Sequence, residues 1–283
     1  MKLISFKRHD RPGFGAVVDG RVIDLTGRIS GAQSLKELLE AGAVARARDY
    51  CKGAAADFAL EECALMPVIP NPNKIICIGV NYADHANEAG LKAGTDYPVI
   101  FLRLPEVLIG HGQPLIRPKV SEEFDYEGEL AVVMGKAGAH IAEADAMSYV
   151  AGYSCFNDAS VRDWQFHTRQ FGMGKNFRNS GPFGPWLVTA DEIADYRRLT
   201  LRTLLNGEEV QRTTCDQMIF DVPRLISYVS QALPWSPGDV ISTGTPSGVA
   251  RFRKPPRYMK AGDTLAVEIS SIGTLSNPVI DEG

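Results

Sequence analysis

The sequence predicts an α+β, β-rich fold in which a small N-terminal α/β domain precedes a larger domain. Three observations lead to this prediction. The 283 residues exceed the length of the usual single domain. Candidate strands outnumber candidate helices and do not alternate regularly with them, which argues against a doubly wound sheet. A proline-rich stretch at residues 67–72 separates the two parts, so we expect domains over residues 1–66 and 73–283.

The N-terminal part is predicted to form three short strands and then a helix. Asp19-Gly20, between the second and third strands, is typical of a hairpin turn. Leucines at helical spacing follow Ser34, a residue type that caps helix N-termini. The predicted strands are Lys2–Phe6, Gly15–Val18 and Val22–Asp24, and the predicted helix is Ser34–Ala43.

The larger part is dominated by apolar runs of strand length. Two of them are entered through a Gly-Asp turn, at residues 237–239 and 261–263. The predicted strands are Lys74–Val80, Tyr126–Met134, Tyr149–Phe156, Pro185–Val188, Leu199–Leu205, Val240–Thr243 and Thr264–Ile269, and the predicted helices are Ser160–Phe171 and Val222–Gln231.

Composition restricts the classes of function. The formal net charge of −4 argues against a nucleic-acid partner, which normally requires a basic excess. The five cysteines are scattered and form no CxxC pair, so zinc and redox motifs are unsupported and reduced thiols are expected. The N-terminus lacks the apolar stretch of a signal peptide, and no apolar run approaches the length of a membrane span. We therefore expect a soluble, cytoplasmic protein without a membrane or nucleic-acid partner.

Three carboxylates are candidate metal ligands. Glu127 and Glu129, two residues apart on the predicted strand Tyr126–Met134, project to the same face with Cα atoms roughly 7 Å apart. Asp158 follows the next predicted strand, where a side chain faces a crevice. Carboxylates without a nearby Cys or His cluster suit Mg²⁺ or Mn²⁺ better than zinc. The alternatives are a solvated acidic patch for the glutamates and a helix N-cap at Asp158 or Ser160.

His85 and Glu88 are a candidate catalytic pair. In a helical turn they are i,i+3 neighbours, and the carboxylate then fixes the imidazole tautomer and raises its basicity. The alternative is a solvated polar turn.

Further polar residues are candidates for substrate contact. Arg162, Gln165 and Arg169 lie on one stripe of the predicted helix Ser160–Phe171 and suit a carboxylate and a carbonyl, although a solvated helix face is equally compatible. Lys175 follows a glycine but lacks the spacing of a phosphate-binding loop, so nucleotide binding is rejected there. Thr245, in a Gly-rich turn after a predicted strand, can receive a carboxylate or belong to a simple tight turn.

Five motifs, spread over about residues 73–280, resemble in type and order those of the fumarylacetoacetate hydrolase family. They are GVNYADHANE at 79–88, DYEGELAVV at 125–133, NDASVRDWQ at 157–165, GKNF at 174–177 and GTPSGV at 244–249. Residues 1–66 also resemble the accessory domain of its bacterial members. The resemblance implies a catalytic domain of mixed β-sandwich and β-roll type, usually assembled as a homodimer.

The resemblance also implies roles for individual residues. It places Mg²⁺ or Mn²⁺ on the three carboxylates and His85 with Glu88 on a lid. Gln165 and Lys175 match positions that polarise substrate oxygens. Arg162, Thr245 and Arg103 are the candidate substrate-binding residues. The sequence departs from the family pattern at two positions. Arg103 stands where many members have lysine, and Ala250 stands where a glycine is common.

The resemblance and these residues together predict a metal-dependent hydrolase. Its substrate would be a small 2-oxo acid, specifically a 2,4-dioxo acid in which a C–C bond is cleaved. His85, oriented by Glu88, is expected to activate water, and Lys175 to stabilise the departing enolate. Isomerisation of a 2-hydroxymuconate-type diacid, or 2-oxo acid decarboxylation or lysis, is the alternative on the same residues. A ligand-binding protein without catalytic activity is the third possibility.

Overall fold

The computed structural model describes residues 1–91 and 96–283. Its strands are β1 (Lys2–Arg8), β2 (Arg11–Val18), β3 (Arg21–Asp24), β4 (Phe58–Ala59), β5 (Ala64–Leu65), β6 (Ile75–Gly79), β7 (Val99–Arg103), β8 (Leu108–Ile109), β9 (Leu115–Arg117), β10 (Phe124–Asp125), β11 (Gly128–Met134), β12 (Val150–Asn157), β13 (Ser160–Val161), β14 (Gly181–Thr189), β15 (Thr200–Leu205), β16 (Glu208–Thr214), β17 (Val240–Ser242), β18 (Thr264–Ile269) and β19 (Gly273–Asp281). Strands therefore dominate, and the β-rich prediction is confirmed.

Helices are few and short. They are α1 (Leu35–Glu40), α2 (Val44–Cys51), α3 (Ala83–Glu88), α4 (Arg162–Gln165), α5 (Gly172–Lys175) and α6 (Val222–Ser230). Turns of 3₁₀ helix occupy Leu60–Glu62, Pro105–Val107, Glu143–Tyr149, Ala190–Glu192, Tyr196–Arg198, Cys215–Gln217 and Ala250–Phe252. None of the helices in the described ranges combines the length and apolar character needed to cross a bilayer.

Two sheets build the body of the protein. The larger has twelve strands, ordered β4-β3-β2-β1-β14-β12-β11-β17-β6-β7, with β5 beside β1 and β8 beside β14. The second has five strands, ordered β16-β15-β18-β19-β9. Leu130 and Val132 of β11 share one buried apolar cluster with Leu201 of β15 and Val267 of β18. This core packs the two sheets against each other and holds β11 and β12 rigidly beneath the site described below.

The N-terminal strands extend the larger sheet. Leu3 of β1 is the antiparallel partner of Leu187 of β14, so β1 lies inside this sheet, between β2 and β14. Ser34 caps α1 as predicted, accepting a hydrogen bond from the Glu37 N–H, and Leu38 of that helix is fully buried. The division into domains at residues 66 and 73 stays a prediction.

The predicted helix Ser160–Phe171 is wrong. Ser160 and Val161 instead form β13, which pairs with β10, and only Arg162–Gln165 is helical. Neither Asp158 nor Ser160 caps that helix, because Val161 occupies its N-cap position. The chain then turns so that Gly174 of α5 lies against Gln165. A Cβ at Gly174 would come within 2.4 Å of the Gln165 backbone nitrogen, so only glycine permits this approach.

Candidate active site

Three buried carboxylates meet at the ends of β11 and β12. Glu129 is the second residue of β11, whereas Glu127 precedes the strand, which begins at Gly128 and not at Tyr126 as predicted. Asp158 follows β12, and its N–H donates to the Glu127 carbonyl at 2.9 Å. The three side chains each offer an oxygen within 4.8 Å of the others. The structure therefore brings together the three carboxylates that the sequence singled out, Glu127 and Glu129 at the start of β11 and Asp158 after the end of β12.

Glu129 is held by neutral donors. Its carboxylate accepts hydrogen bonds from Ser242 Oγ at 2.5 Å and from the Gly244 N–H at 2.8 Å. Burial, and then the charges of Asp158 and Glu127, raise the pKa of this carboxyl well above its ordinary value. A cation beside Glu129 would relieve both costs.

Glu127 and Asp158 are held by cations. Lys175 Nζ donates to Glu127 at 2.5 Å and to Asp158 at 2.6 Å, and Arg162 Nη2 donates to Glu127 at 2.6 Å. Burial alone would raise the pKa of Glu127, but the charges of Arg162 and Lys175 outweigh it and lower that pKa far below its usual range. These ion pairs keep the oxygens of Glu127 and Asp158 charged and fixed in position.

The composition of this buried group fits a divalent cation. Its acidic members are Asp125, Glu127, Glu129 and Asp158, and its basic members are Arg103, Arg162 and Lys175, all at most 5 % exposed. Four carboxylates against three cations leave an uncompensated negative charge beside Glu129, which a metal would neutralise. Oxygen ligands without thiolate or imidazole suit Mg²⁺ or Mn²⁺.

The raised pKa of Glu129 predicts how the metal-free protein responds to pH. Because the folded-state pKa lies above that of the unfolded chain, its contribution to stability is present at acidic pH and is lost as pH rises through the folded pKa. We expect the stability of Glu129→Gln relative to wild type to increase from about pH 5 to pH 8 in the presence of chelator. Urea unfolding at each pH measures this difference, and a difference that does not change with pH would contradict it.

His85 and Glu88 form the predicted pair on α3. His85 Nδ1 lies 2.8 Å from a Glu88 carboxylate oxygen, and both carboxylate oxygens of Glu88 also accept from the Gly248 N–H, at 2.9 and 3.1 Å. Ser247 Oγ donates to Asp84 of the same helix at 2.7 Å. The turn at residues 247–248 therefore fixes α3, and with it the orientation of the imidazole ring.

One cavity of about 90 Å³ brings most of the candidate residues together. Its polar lining consists of His85, Glu127, Glu129, Asp158, Arg162, Gln165, Lys175, Thr245 and Arg251, and its apolar lining includes Ile78, Phe101, Phe166, Phe171 and Phe252. This volume suits a small acid and is too small for a drug-sized ligand.

The substrate-binding candidates occupy different places. Arg162 is tied to Asp125 and Glu127 and donates to Gln165 Oε1 at 2.9 Å. The Thr245 hydroxyl lines the cavity while donating to the Gly128 carbonyl at 3.0 Å. Arg169, placed by the sequence on the stripe of Arg162 and Gln165, lies outside the short helix α4.

Arg103 was predicted to contact the substrate, but it lies outside the cavity lining. Its guanidinium donates to Asp158, to the Ala159 carbonyl at 3.2 Å and to Ser180 Oγ at 2.5 Å. The side chain does not line the cavity, and it is only 2 % exposed. It is therefore placed to orient Asp158, because an arginine fork can contact a carboxylate and a hydroxyl at once.

Asp125 is a buried residue of this site to which the sequence assigned no role. It accepts from Arg162 Nε at 2.7 Å, from the Ala250 N–H at 2.7 Å and from the Arg251 N–H at 3.1 Å. The Asp125 carboxylate thus connects Arg162, which also contacts Glu127, to the backbone at Ala250 and Arg251. Its place two residues before Glu127 is the only signal in the sequence.

The family profile of the fumarylacetoacetate (FAA) hydrolase C-terminal domain matches residues 74–280, a range that contains all the residues of this site. The chain belongs to the fumarylacetoacetate hydrolase family. The predicted family membership and the predicted β-rich fold of that family are therefore both confirmed.

Three family members illustrate the similarity. The mitochondrial oxaloacetate tautomerase fahd2 of Xenopus laevis is 39 % identical over 99 % of this chain and 90 % of its own length. The oxaloacetate tautomerase YisK of Bacillus subtilis (strain 168) is 42 % identical over 78 % of this chain and 75 % of its own. The structure of maleylpyruvate hydrolase from Sphingobium sp. SYK-6, solved in complex with manganese(II) and pyruvate, superposes with a TM-score of 0.83 at 27 % identity. The superposition covers 100 % of this chain and 100 % of the hydrolase chain.

Proposed function

We propose that this family member is a metal-dependent enzyme that interconverts the keto and enol forms of a small 2-oxo diacid of the oxaloacetate type. The observation that carries the proposal is one small cavity lined by both a carboxylate cluster and the ring of a histidine paired with glutamate. Two relatives that align with most of this chain are oxaloacetate tautomerases, which supports this reaction among those known for the family.

The bound metal, on Glu127, Glu129 and Asp158, would supply Lewis acidity at the 2-oxo carbonyl of the substrate. His85 acts as the base that removes a proton from C3, since Glu88 binds its Nδ1 and fixes the tautomer in which Nε2 can accept a proton. The C3–H bond breaks and its proton goes to His85, its electron pair forms the C2–C3 double bond, and the carbonyl π pair moves to the C2 oxygen. That oxygen then takes a proton from water, and protonated His85 returns its proton to solvent. The amide of Gln165 and the ammonium of Lys175 stabilise that oxygen while its charge develops.

Hydrolysis of a C–C bond, the reaction predicted from the sequence, is the second candidate. Maleylpyruvate hydrolase, which shares the fold, favours it. The same His85–Glu88 pair would then activate water for attack on a distal carbonyl. Tautomerisation is the better supported reaction, because it requires no room for a water nucleophile in a cavity of about 90 Å³.

The two candidates differ in their products. We expect this protein to accelerate decay of the ultraviolet absorbance of enol oxaloacetate with Mg²⁺ or Mn²⁺, to lose that effect with chelator, and to release no cleaved acid from acylpyruvates. Cleavage with solvent ¹⁸O in the product acid would replace the proposal by hydrolysis. Loss of CO₂ from oxaloacetate, or isomerisation of a hydroxymuconate-type diacid alone, would assign one of the other reactions. Binding without turnover of any of these acids would favour a non-catalytic protein.

A homodimer and a cytoplasmic location are further proposals. Both can be tested directly, by light scattering of the purified protein and by cell fractionation.

A further inference from the structure

Arg251 differs from the other cations that line the cavity. Its side chain is 35 % exposed, whereas those of Arg162 and Lys175 are 4 % and 2 % exposed. Lys175 donates to Glu127 and Asp158, and Arg162 donates to Asp125, Glu127 and Gln165, so both buried cations already have partners within the site. Among the described residues, Arg251 is therefore the cation of the cavity lining that a ligand can reach from solvent.

The backbone of Arg251 is fixed to the site. Its N–H donates to the Asp125 carboxylate at 3.1 Å, and the Ala250 N–H donates to the same carboxylate at 2.7 Å. Asp125 is fully buried and also bonded to Arg162. The 3₁₀ turn Ala250–Phe252 is thus held at a constant distance from the cluster, which is what a substrate-binding residue requires.

The side chain of Arg251 lies against an aromatic ring of the cavity lining. Its guanidinium lies 4.6 Å from the centre of the Phe166 ring, and both residues line the cavity. The only ion pair that the structure gives it among the described residues is with Glu123, at 3.2 Å, and that carboxylate is 38 % exposed. An exposed pair of this kind is weak and exchanges readily for another carboxylate.

We propose that Arg251 binds the second carboxylate of a diacid substrate and selects dicarboxylic over monocarboxylic 2-oxo acids. This inference rests on the proposed function and adds the residue that recognises the second carboxylate. The 2-oxo acid end of the substrate reaches the cluster of Glu127, Glu129 and Asp158, and the far carboxylate displaces Glu123 from the guanidinium.

The test compares two acids that differ only at the far end. Oxaloacetate carries a carboxylate on C3, and 2-oxobutyrate carries a methyl group there. For each acid, kcat/KM for exchange of C3 protons with deuterated solvent is measured by NMR in the presence of Mg²⁺. Arg251→Gln keeps the backbone contact to Asp125, and we expect it to lower kcat/KM for oxaloacetate roughly 10- to 100-fold, the loss of a charge-assisted hydrogen bond, without change for 2-oxobutyrate.

Two further variants complete the test. Arg257→Gln removes an arginine of the same loop that pairs with Glu208 outside the cavity lining, and it is expected to change neither substrate. Glu123→Gln frees Arg251 and is expected to lower KM for oxaloacetate alone. An equal loss for both acids in Arg251→Gln, or no loss, would overturn the inference while leaving the proposed function intact. Absence of exchange by the wild-type protein would overturn the proposed function and this inference with it.

Discussion

Glu129→Gln is expected to abolish divalent-metal binding and to lower turnover at least about a hundredfold, without loss of stability of the metal-free protein. The metal contributes several kcal/mol to the stabilisation of developing charge, which corresponds to at least two orders of magnitude in rate. The metal-free protein should not suffer, because the neutral amide removes a buried charge repelled by Glu127 and Asp158. Its carbonyl oxygen can still accept from the Gly244 N–H.

Calorimetric titration with Mn²⁺ and thermal unfolding with and without chelator measure these effects. The wild-type protein should gain melting temperature with metal, and the variant should not. Glu122→Gln is the matched control, because it makes the same change on a side chain that is 87 % exposed. Undiminished Mn²⁺ affinity in Glu129→Gln would show that the cluster is not the metal site.

His85→Asn is expected to lower kcat by roughly 10²–10⁴-fold while leaving metal affinity unchanged. This is the usual contribution of a general base, and the hydrogen bond that the structure shows for the imidazole is to Glu88 and not to a carboxylate of the cluster. The asparagine amide nitrogen can replace Nδ1 as the donor to Glu88, so α3 should stay attached to the turn at residues 247–248. The rate of enol decay at saturating substrate measures the effect.

Two other variants refine this assignment. Glu88→Gln should reduce the rate less than His85→Asn, because it weakens the base without removing it. His140→Asn, on an exposed histidine that contacts Gln231, is the matched control and should leave the rate unchanged. Loss of Mn²⁺ binding in His85→Asn would refute the role of a base separate from the metal site.

Strands with a pronounced apolar pattern could be predicted from the sequence, and others could not. β11, β12 and β18 carry buried apolar residues in runs or alternation, and all three were predicted within two residues at each end. β16 (EEVQRTT) lies at the edge of its sheet and exposes polar side chains on both faces, so no apolar period marks it. β7 also lies at a sheet edge, with four of its five residues not fully buried. Edge strands are defined by their neighbours, which the local sequence does not contain.

The candidate site divides in a similar way. Glu127 with Glu129, and His85 with Glu88, could be predicted because their chemistry and short spacing are visible in the chain, and Asp158 because it follows an apolar strand. The positions of Arg103 and Asp125 could not, because their partners lie 55 and 125 residues away along the chain. The helix at Ser160–Phe171 was predicted wrongly because the pairing of β13 with β10 outweighs helical periodicity over those residues.

The most direct test of metal-dependent proton transfer in this cavity is exchange of the C3 protons of oxaloacetate with D₂O, followed by NMR with Mg²⁺. We predict rapid exchange with the wild-type protein, background exchange with chelator, and background exchange with either Glu129→Gln or His85→Asn. Exchange at the wild-type rate in the presence of chelator, or in either variant, would contradict a reaction that depends on the carboxylate cluster and His85 together.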